Sequence, residues 1–285
     1  MPIRNWAARL RMISMFALAA SCGGSRQSAA SADTARSDEL PPESELKARL
    51  ADASAGQTLF HDLRSRAQDT EARAQLADAL VVPLSSAYVE QYAALPPTNR
   101  VALIELLSLL RDARAEPAFR KAMEEFLAGS QRSAGDLDLK HAARAMQELK
   151  LEALSQLLLD CFVRFEAHTP SGVETFRALN ESVVANARPE WSKRLIAVLE
   201  RAITLPANAN DKEGINRYRD ELFWQVTAAE TLGMLGEGDA VAPLLRVLQD
   251  SSKADVHKTA RLALAKICET SEKARSQAGK HCPGS

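Results

Sequence analysis

The side chains with the most reactive chemistry in this chain belong to its four cysteines and five histidines. Cys161 and His168 lie about two helical turns apart, so they could form a nucleophile and its base. Cys161, however, falls within the apolar run LLLDCFV, where cysteine packs as a small buried hydrophobe. His168 lies beyond the predicted helix end, and no third group is placed to orient it. We therefore predict no catalytic residue.

Metal binding and paired-carboxylate chemistry receive little support. The histidines are scattered without H-x-x-x-H spacing, and the His-Cys dipeptide at 281–282 lies in a polar terminal segment. Glu124 and Glu125, like Asp136 and Asp138, are typical of solvated helix faces or caps, because no cleft can be inferred around them. The sequence thus predicts no metal site and no cofactor.

The N-terminus predicts export. Three arginines precede a short apolar run at 12–20, which falls short of the about 20 apolar residues of a membrane span. The segment Leu18-Ala-Ala-Ser-Cys22 resembles the lipobox of bacterial lipoproteins. That resemblance implies cleavage before Cys22, which would carry a thioether diacylglycerol and an N-acyl chain. The alternatives are a cleaved signal with an incidental cysteine, or a cytoplasmic protein with a misassigned start.

These features predict four segments: a signal peptide at 1–21, a disordered tether at 22–42, a helical body at 43–269 and a polar tail at 270–285. The tether contains almost no large apolar residue, so burial cannot offset its ordering entropy. The tail forms either a short capping helix or a frayed end. A disulfide between Cys268 and Cys282 is compatible with export, but cysteine spacing alone does not establish pairing.

Composition favours a helical body over a sheet. Hydrophobic residues make up 46% of the chain and aromatic residues only 5%, which suits helices packed through alanine and leucine. The formal net charge is −1, unlike the basic footprint of nucleic-acid binders. We therefore predict no nucleic-acid partner.

Residues 225–268 contain three amphipathic helices joined by tight turns. Apolar residues recur there at three- and four-residue spacing, the period of one helix face. Gly236 follows the first helix, where a helix end favours a residue that tolerates positive φ. The predicted apolar positions are Val226, Ala229, Leu232, Val241, Leu244, Leu245, Leu248, Val256, Ala260, Leu262, Ala263, Leu264 and Ile267.

Within residues 218–268, the run A-A-x-x-L-G-x-L-G-x-x-x-A-V-x-P-L-L-x-x-L-x-D and the following D-V-x-x-x-A-x-x-A-L-x-K-I resemble HEAT repeats. The form is the HEAT-like one that also occurs in phycobilisome lyases. The resemblance implies a stack of antiparallel helix pairs with a curved surface for protein contacts. HEAT repeats have no catalytic residues of their own to transfer. Since phycobilin lyases contain the same repeats, an enzyme or enzyme subunit is the alternative function.

The predicted fold is an all-α α-solenoid of about five to six antiparallel helix pairs, a HEAT-like superhelix. One or two helices at 43–66, interrupted at Gly56, would cap its N-terminal end. Prolines 83, 97, 117 and 189 are predicted to lie near helix starts, where a missing N–H costs little. The predicted pairs are 71–81 with 83–95, 98–111 with 115–128, 136–149 with 151–167, 171–186 with 189–205, and 217–235 with 239–250, with 253–269 opening a sixth.

Together these expectations describe a lipid-anchored, non-catalytic scaffold in the bacterial cell envelope, with the outer membrane favoured by Gly23 after the lipidated cysteine. Its partners would be proteins, with no small-molecule substrate. The resemblance places the partner surface on the second helix of each pair, although the same side chains could simply keep the solenoid soluble. The predicted contact residues are Arg120, Lys121, Glu124, Arg194, Arg201, Arg246 and Gln249.

Overall fold

The computed structural model describes residues 41–129, 137–167 and 170–282, all within the compact unit Pro41–Ser285. These ranges form thirteen α-helices and short 3₁₀ turns, and no strand, which confirms the all-α fold class. The helices are α1 (Glu43–Ala51), α2 (Ala53–Arg66), α3 (Thr70–Gln91), α4 (Pro97–Leu110), α5 (Glu116–Leu127), α6 (Leu137–Leu149), α7 (Ser155–Arg164), α8 (Pro170–Ala185), α9 (Ser192–Leu199), α10 (Lys212–Leu235), α11 (Val241–Gln249), α12 (His257–Thr270) and α13 (Glu272–Ala278).

The helices pack in pairs, and the pairs contact their neighbours in chain order. Extensive contacts join α1 to α2, α3 to α4, α5 to α6, α7 to α8, α9 to α10, and α11 to α12. The even-numbered helices from α2 to α12 also contact one another in succession, and so do α3, α5 and α7, and α9, α11 and α13. The even and odd helices therefore form two layers with the apolar core between them. The largest buried side chains include Trp191, Tyr88, Phe60, Phe119 and Phe162.

The predicted pairing is wrong by one helix. It joined α4 to α5 and α6 to α7, whereas α4 packs on α3 and α6 packs on α5. The error begins at Pro83, which lies inside the continuous helix α3. An internal proline costs about 3 kcal/mol, but buried Val81 and Leu84 on either side of it supply packing that offsets this cost. The three other prolines do lie at helix or 3₁₀ starts, as predicted.

Two further local predictions are wrong. Gly56 does not interrupt the N-terminal helices; the break is at Asp52, whose carboxylate caps α2 by accepting from the Ala55 N–H at 2.7 Å. Gly56 lies inside α2, and its lack of a side chain leaves room for Asn99, whose side-chain nitrogen would clash with a Cβ at this position. Leu262 is also not in the core, since its side chain is 57% exposed. It lies on the face of α12 opposite the buried Ala260, Leu264 and Ile267.

The C-terminal end is held in place by a helix and a disulfide. Of the two alternatives for residues 270–285, the structure has the short helix, α13, which packs on α11 and α12. Cys268 and Cys282 are disulfide-bonded, with their Cα atoms 5.9 Å apart. Arg275 of α13 donates to the Cys268 carbonyl at 2.6 Å and so satisfies an acceptor at the end of α12.

Gly236 ends α10 as predicted. Its φ of 69° lies in the left-handed region that favours glycine. None of the helices in the three described ranges combines the length and apolar composition of a membrane span.

Candidate partner-binding surface

The seven predicted contact residues lie on, or next to, odd-numbered helices. Arg120, Lys121 and Glu124 are on α5, and Arg194 is on α9. Arg201 follows α9, while Arg246 and Gln249 are on α11. The structure therefore brings them to one layer, but α5, α9 and α11 are the first helices of their contacting pairs, not the second.

Most of the basic residues in this set form ion pairs within the chain. Arg194 pairs with Asp160 of α7 at 2.6 Å, and Arg246 pairs with Glu200 at the end of α9. Arg194 therefore joins α9 to α7, and Arg246 joins α11 to the residue that follows α9. All three helices belong to the odd layer. On α5, Arg120 pairs with Glu116 at 2.7 Å and Lys121 with Glu125 at 2.5 Å. Their charges are already partly neutralised by neighbouring helices or by their own helix.

Arg201 contacts an aromatic ring instead of a carboxylate. Its guanidinium lies 5.3 Å from the ring centroid of Trp224, and its backbone carbonyl accepts from Gln225 at 2.7 Å. Partial burial lowers the pKa of Arg201 from its ordinary value. Glu124 and Gln249 are exposed. As a contact surface, the seven residues stay a prediction.

A buried polar cluster that the sequence did not indicate joins α3, α4 and α6. Asp138 accepts a hydrogen bond from the Tyr88 hydroxyl at 3.0 Å and an ion-pair bond from the Arg100 Nε at 2.6 Å. The Arg100 guanidinium also lies 4.7 Å from the centroid of the Tyr92 ring. No local pattern could reveal the cluster, because Tyr88 and Arg100 precede Asp138 by 50 and 38 positions.

The electrostatics of this cluster favour a structural role. Burial and the Asp138 carboxylate raise the pKa of Tyr88 well above its ordinary value. Burial lowers the pKa of Arg100, but Asp138 together with Tyr92 and Tyr88 raises it by more, so the guanidinium stays charged. With neither group poised to exchange a proton near neutral pH, the cluster holds three helices together.

Surface grooves lie between neighbouring helices of the described ranges. One of about 320 Å³ lies between α10 and α12, and one of about 360 Å³ lies between α2 and α4. A third, of about 210 Å³, lies between α3 and α5. The first two are on the even layer, away from the predicted contact residues.

No protein-family model matches this chain, and no curated protein matches it. The resemblance to HEAT repeats therefore stays a prediction from the residues that suggested it.

Of the three residues considered for catalysis and lipidation, the structure describes only Cys161. Cys161 is fully buried, and burial raises the pKa of its thiol far above the ordinary value, which disfavours the reactive thiolate. His168 and Cys22 lie outside the described residues. Among the residues that are described, no three His, Cys, Asp or Glu side chains are grouped to hold a metal ion.

The exposed cations of α12 were missed as a possible contact surface. Lys258, Leu262 and Lys266 follow one another at four-residue intervals, and Arg261 lies beside them. The spacing was visible in the sequence, but Leu262 was assigned to the apolar stripe. Its exposure places Leu262 on the solvent face of α12, while the other predicted apolar positions of this helix are buried.

Proposed function

We propose that this chain is a lipid-anchored α-solenoid of the bacterial cell envelope that binds other proteins and does not itself catalyse a reaction. The observation that carries the proposal is the regular distance in sequence between residues that bridge neighbouring helices. Surface ion pairs within each layer join residues 34 to 46 positions apart, close to the length of helical repeats. Such a register is expected when each unit packs on the next.

Recurring local structure supports the same proposal. A three-residue 3₁₀ turn immediately precedes α5, α7, α9 and α11, at 113–115, 152–154, 189–191 and 238–240. The helices of the even layer begin at residues 53, 97, 137, 170, 212 and 257, which are 33 to 45 positions apart. Repeated units of similar length with contacts between neighbours favour an open stack, whose long surface suits protein binding.

The cysteines support the proposed compartment. A disulfide between Cys268 and Cys282 is stable in an oxidising compartment, as expected for an exported protein. Cys22 would provide the lipid anchor, and three acyl chains exceed the two signals that stable anchoring needs. The buried Cys161, whose thiol is shielded from substrates, agrees with a non-catalytic body.

Cross-linking the full-length chain in membranes, followed by purification, tests the binding function. We expect one protein to be recovered in a stoichiometric ratio. Turnover of a small molecule by the pure chain, or recovery of no protein, would overturn the proposal.

A Cys22→Ser variant tests the anchor. It should move the protein from the membrane fraction to the soluble fraction, and mass spectrometry of the wild-type N-terminal peptide should detect the acyl chains. An unmodified Cys22 would contradict lipidation.

A further inference from the structure

The groove between α10 and α12 combines an apolar centre with a basic rim. Its lining residues are Glu230, Lys258, Thr259, Leu262, Ala263 and Lys266. Next to it, Met234 of α10 is 51% exposed, and the Leu262 side chain is 57% exposed. Two large apolar side chains are thus left in water on facing helices, at the edge of a concavity.

The groove exists because its two helices cross closely. Gly233 of α10 lies against Ala263 of α12, so near that a Cβ on Gly233 would come 2.6 Å from the Ala263 Cα. This contact of two small residues provides a low floor. Leu262 lines the groove beside it, and Met234, one helical turn after the lining residue Glu230, is exposed on the same side of α10.

The basic residues at this groove differ from Arg194 and Arg246 of the odd layer. Lys258, Arg261 and Lys266 are exposed, and none forms an ion pair with any residue that the structure describes. By contrast, Arg194 and Arg246 are paired with carboxylates of the chain itself. Within a body that has more acidic than basic residues, an uncompensated basic row is the surface most available to an anionic partner.

We propose that this groove binds an acidic amphipathic helix of a partner protein, an inference that rests on the binding function proposed above. An apolar residue of the partner covers Leu262 and Met234. Carboxylates about one turn to either side of it face Lys258 and Lys266, since these lysines flank Leu262 at four-residue intervals. Arg261 does not line the groove, but it is exposed next to Leu262 in the sequence, where its charge adds to the positive potential that attracts an acidic segment.

The shape and charge favour a peptide over other anionic surfaces. A lipid surface is flat and does not enter a groove between two helices. Nucleic-acid binding depends on neutralising many phosphates, and this row has only three cations beside Glu230. An apolar groove bordered by a few charges is the arrangement that recognises an amphipathic helix.

Site-specific photo-cross-linking in the full-length protein, in the cells that produce it, tests this assignment. A photoreactive residue replaces Leu262, and in the control it replaces Leu109 of α4, which is 43% exposed on the same layer. We expect position 262 to give a protein adduct, and mass spectrometry to map it to an acidic segment with an apolar residue between carboxylates. Position 109 should give little of that adduct.

Charge-reversal variants provide the matched comparison. Lys258→Glu, Arg261→Glu and Lys266→Glu together should lower the adduct yield at least about tenfold, as expected when charge complementarity is reversed. Arg177→Glu, Lys193→Glu and Lys212→Glu make the same change in net charge at exposed positions elsewhere, and should leave the yield within about twofold. Circular dichroism of both purified variants shows whether each remains folded.

The outcomes separate the two proposals. A lipid or nucleic-acid adduct at 262, an acid-poor protein segment, or equal losses in both charge variants would overturn the groove assignment. If membrane cross-linking recovers a stoichiometric partner that never reacts with position 262, the groove assignment fails and the binding function stands. If neither method recovers a protein, both fail.

Discussion

Gly233 of α10 packs directly on the backbone of Ala263 in α12, with 2.6 Å between an ideal Gly233 Cβ and the Ala263 Cα. No real Cβ atom can occupy that position unless the helices move apart. The glycine is needed here for close approach, because it lies inside a helix and not at a turn.

Gly233→Ala should therefore destabilise the protein although alanine is the better helix former. Overpacking costs about 1–3 kcal/mol, and since helix propensity returns about 1 kcal/mol, the expected net loss is up to about 2 kcal/mol. Gly238→Ala is the control, since no atom lies within 4 Å of its added Cβ. It should change the free energy of unfolding by less than about 1 kcal/mol. Urea denaturation measures both, and equal stabilities would contradict the close contact.

Asn99 joins the first turn of α4 to the junction between α1 and α2. Its side chain is fully buried, and its Nδ2 donates to the carbonyls of Leu50 at 2.9 Å and Asp52 at 2.8 Å. Asn99→Leu keeps the branching at Cγ but removes this donor. The Leu50 carbonyl then loses its side-chain partner at about 1–3 kcal/mol, while the Asp52 carbonyl keeps its bond from the Gly56 N–H at 2.9 Å and loses about 0.5–1.5 kcal/mol. The free energy of unfolding should fall by about 1.5–4.5 kcal/mol.

Asn99→Asp and Gln57→Ala test this explanation. The aspartate has the shape of asparagine but presents a carboxylate to two carbonyl oxygens, so it should destabilise at least as strongly as leucine. Gln57 is exposed and donates one bond to the Asn99 Oδ1 at 3.1 Å, so its loss should cost under about 1.5 kcal/mol. If Asn99→Asp is as stable as wild type, the two carbonyls do not depend on the amide.

His141 makes the stability of the protein depend on pH. Burial, together with the charges of Lys140, Arg144 and Arg64, lowers its pKa from 6.5 to about 3. Because the unfolded chain then binds a proton at a higher pH than the folded chain does, stability falls as the pH falls below about 6.5 and continues to fall toward pH 3. Its contribution between pH 7 and pH 5 is a loss of about 2 kcal/mol.

The variant His141→Leu should remove that part of the pH dependence. Denaturation at pH 7 and pH 5 should show a difference smaller by about 2 kcal/mol than in wild type. NMR titration of the wild-type ring provides a second measurement. A ring that titrates near 6.5 in the folded protein would contradict burial in the neutral form.

Breaking the Cys268–Cys282 disulfide should loosen the C-terminal end. The two cysteines are 14 positions apart, and closing a loop of this size stabilises by about 3 kcal/mol. Cys282→Ser should lower the melting temperature and speed proteolysis around α13. A dithiol reductant should have a similar effect on wild type and no further effect on the variant. Further destabilisation of the variant by the reductant would indicate another disulfide.

Periodicity and glycine chemistry predicted the helices well. The apolar spacing around Leu232 and Leu244 follows directly from 3.6 residues per turn, and Gly236 ends α10 where predicted. Pro83 shows the limit of such rules, because packing from α4 and α5 outweighs the local cost of proline. Because each predicted pair was counted from the one before it, dividing α3 at Pro83 displaced the later pairs by one helix.

The contact surface was harder to predict for a different reason. Helical spacing shows which residues share a face, but the ion pairs that neutralise Arg194 and Arg246 come from helices more than 30 positions away. Likewise, whether Leu262 faces the core depends on where α10 crosses α12. These facts arise from tertiary packing, which a single sequence does not display.

Because the helices contact one another in chain order, the number of helix pairs could change by tandem duplication. A tandem duplication that copied one pair, such as α9 with α10, would need to match only the pairs beside it. No distant part of the described body would have to change to fit the added pair, since the extensive helix contacts of the body are all between near neighbours. Length, and with it the reach of the surface, could thus change over evolution in whole-pair increments while the remaining pairs kept their packing.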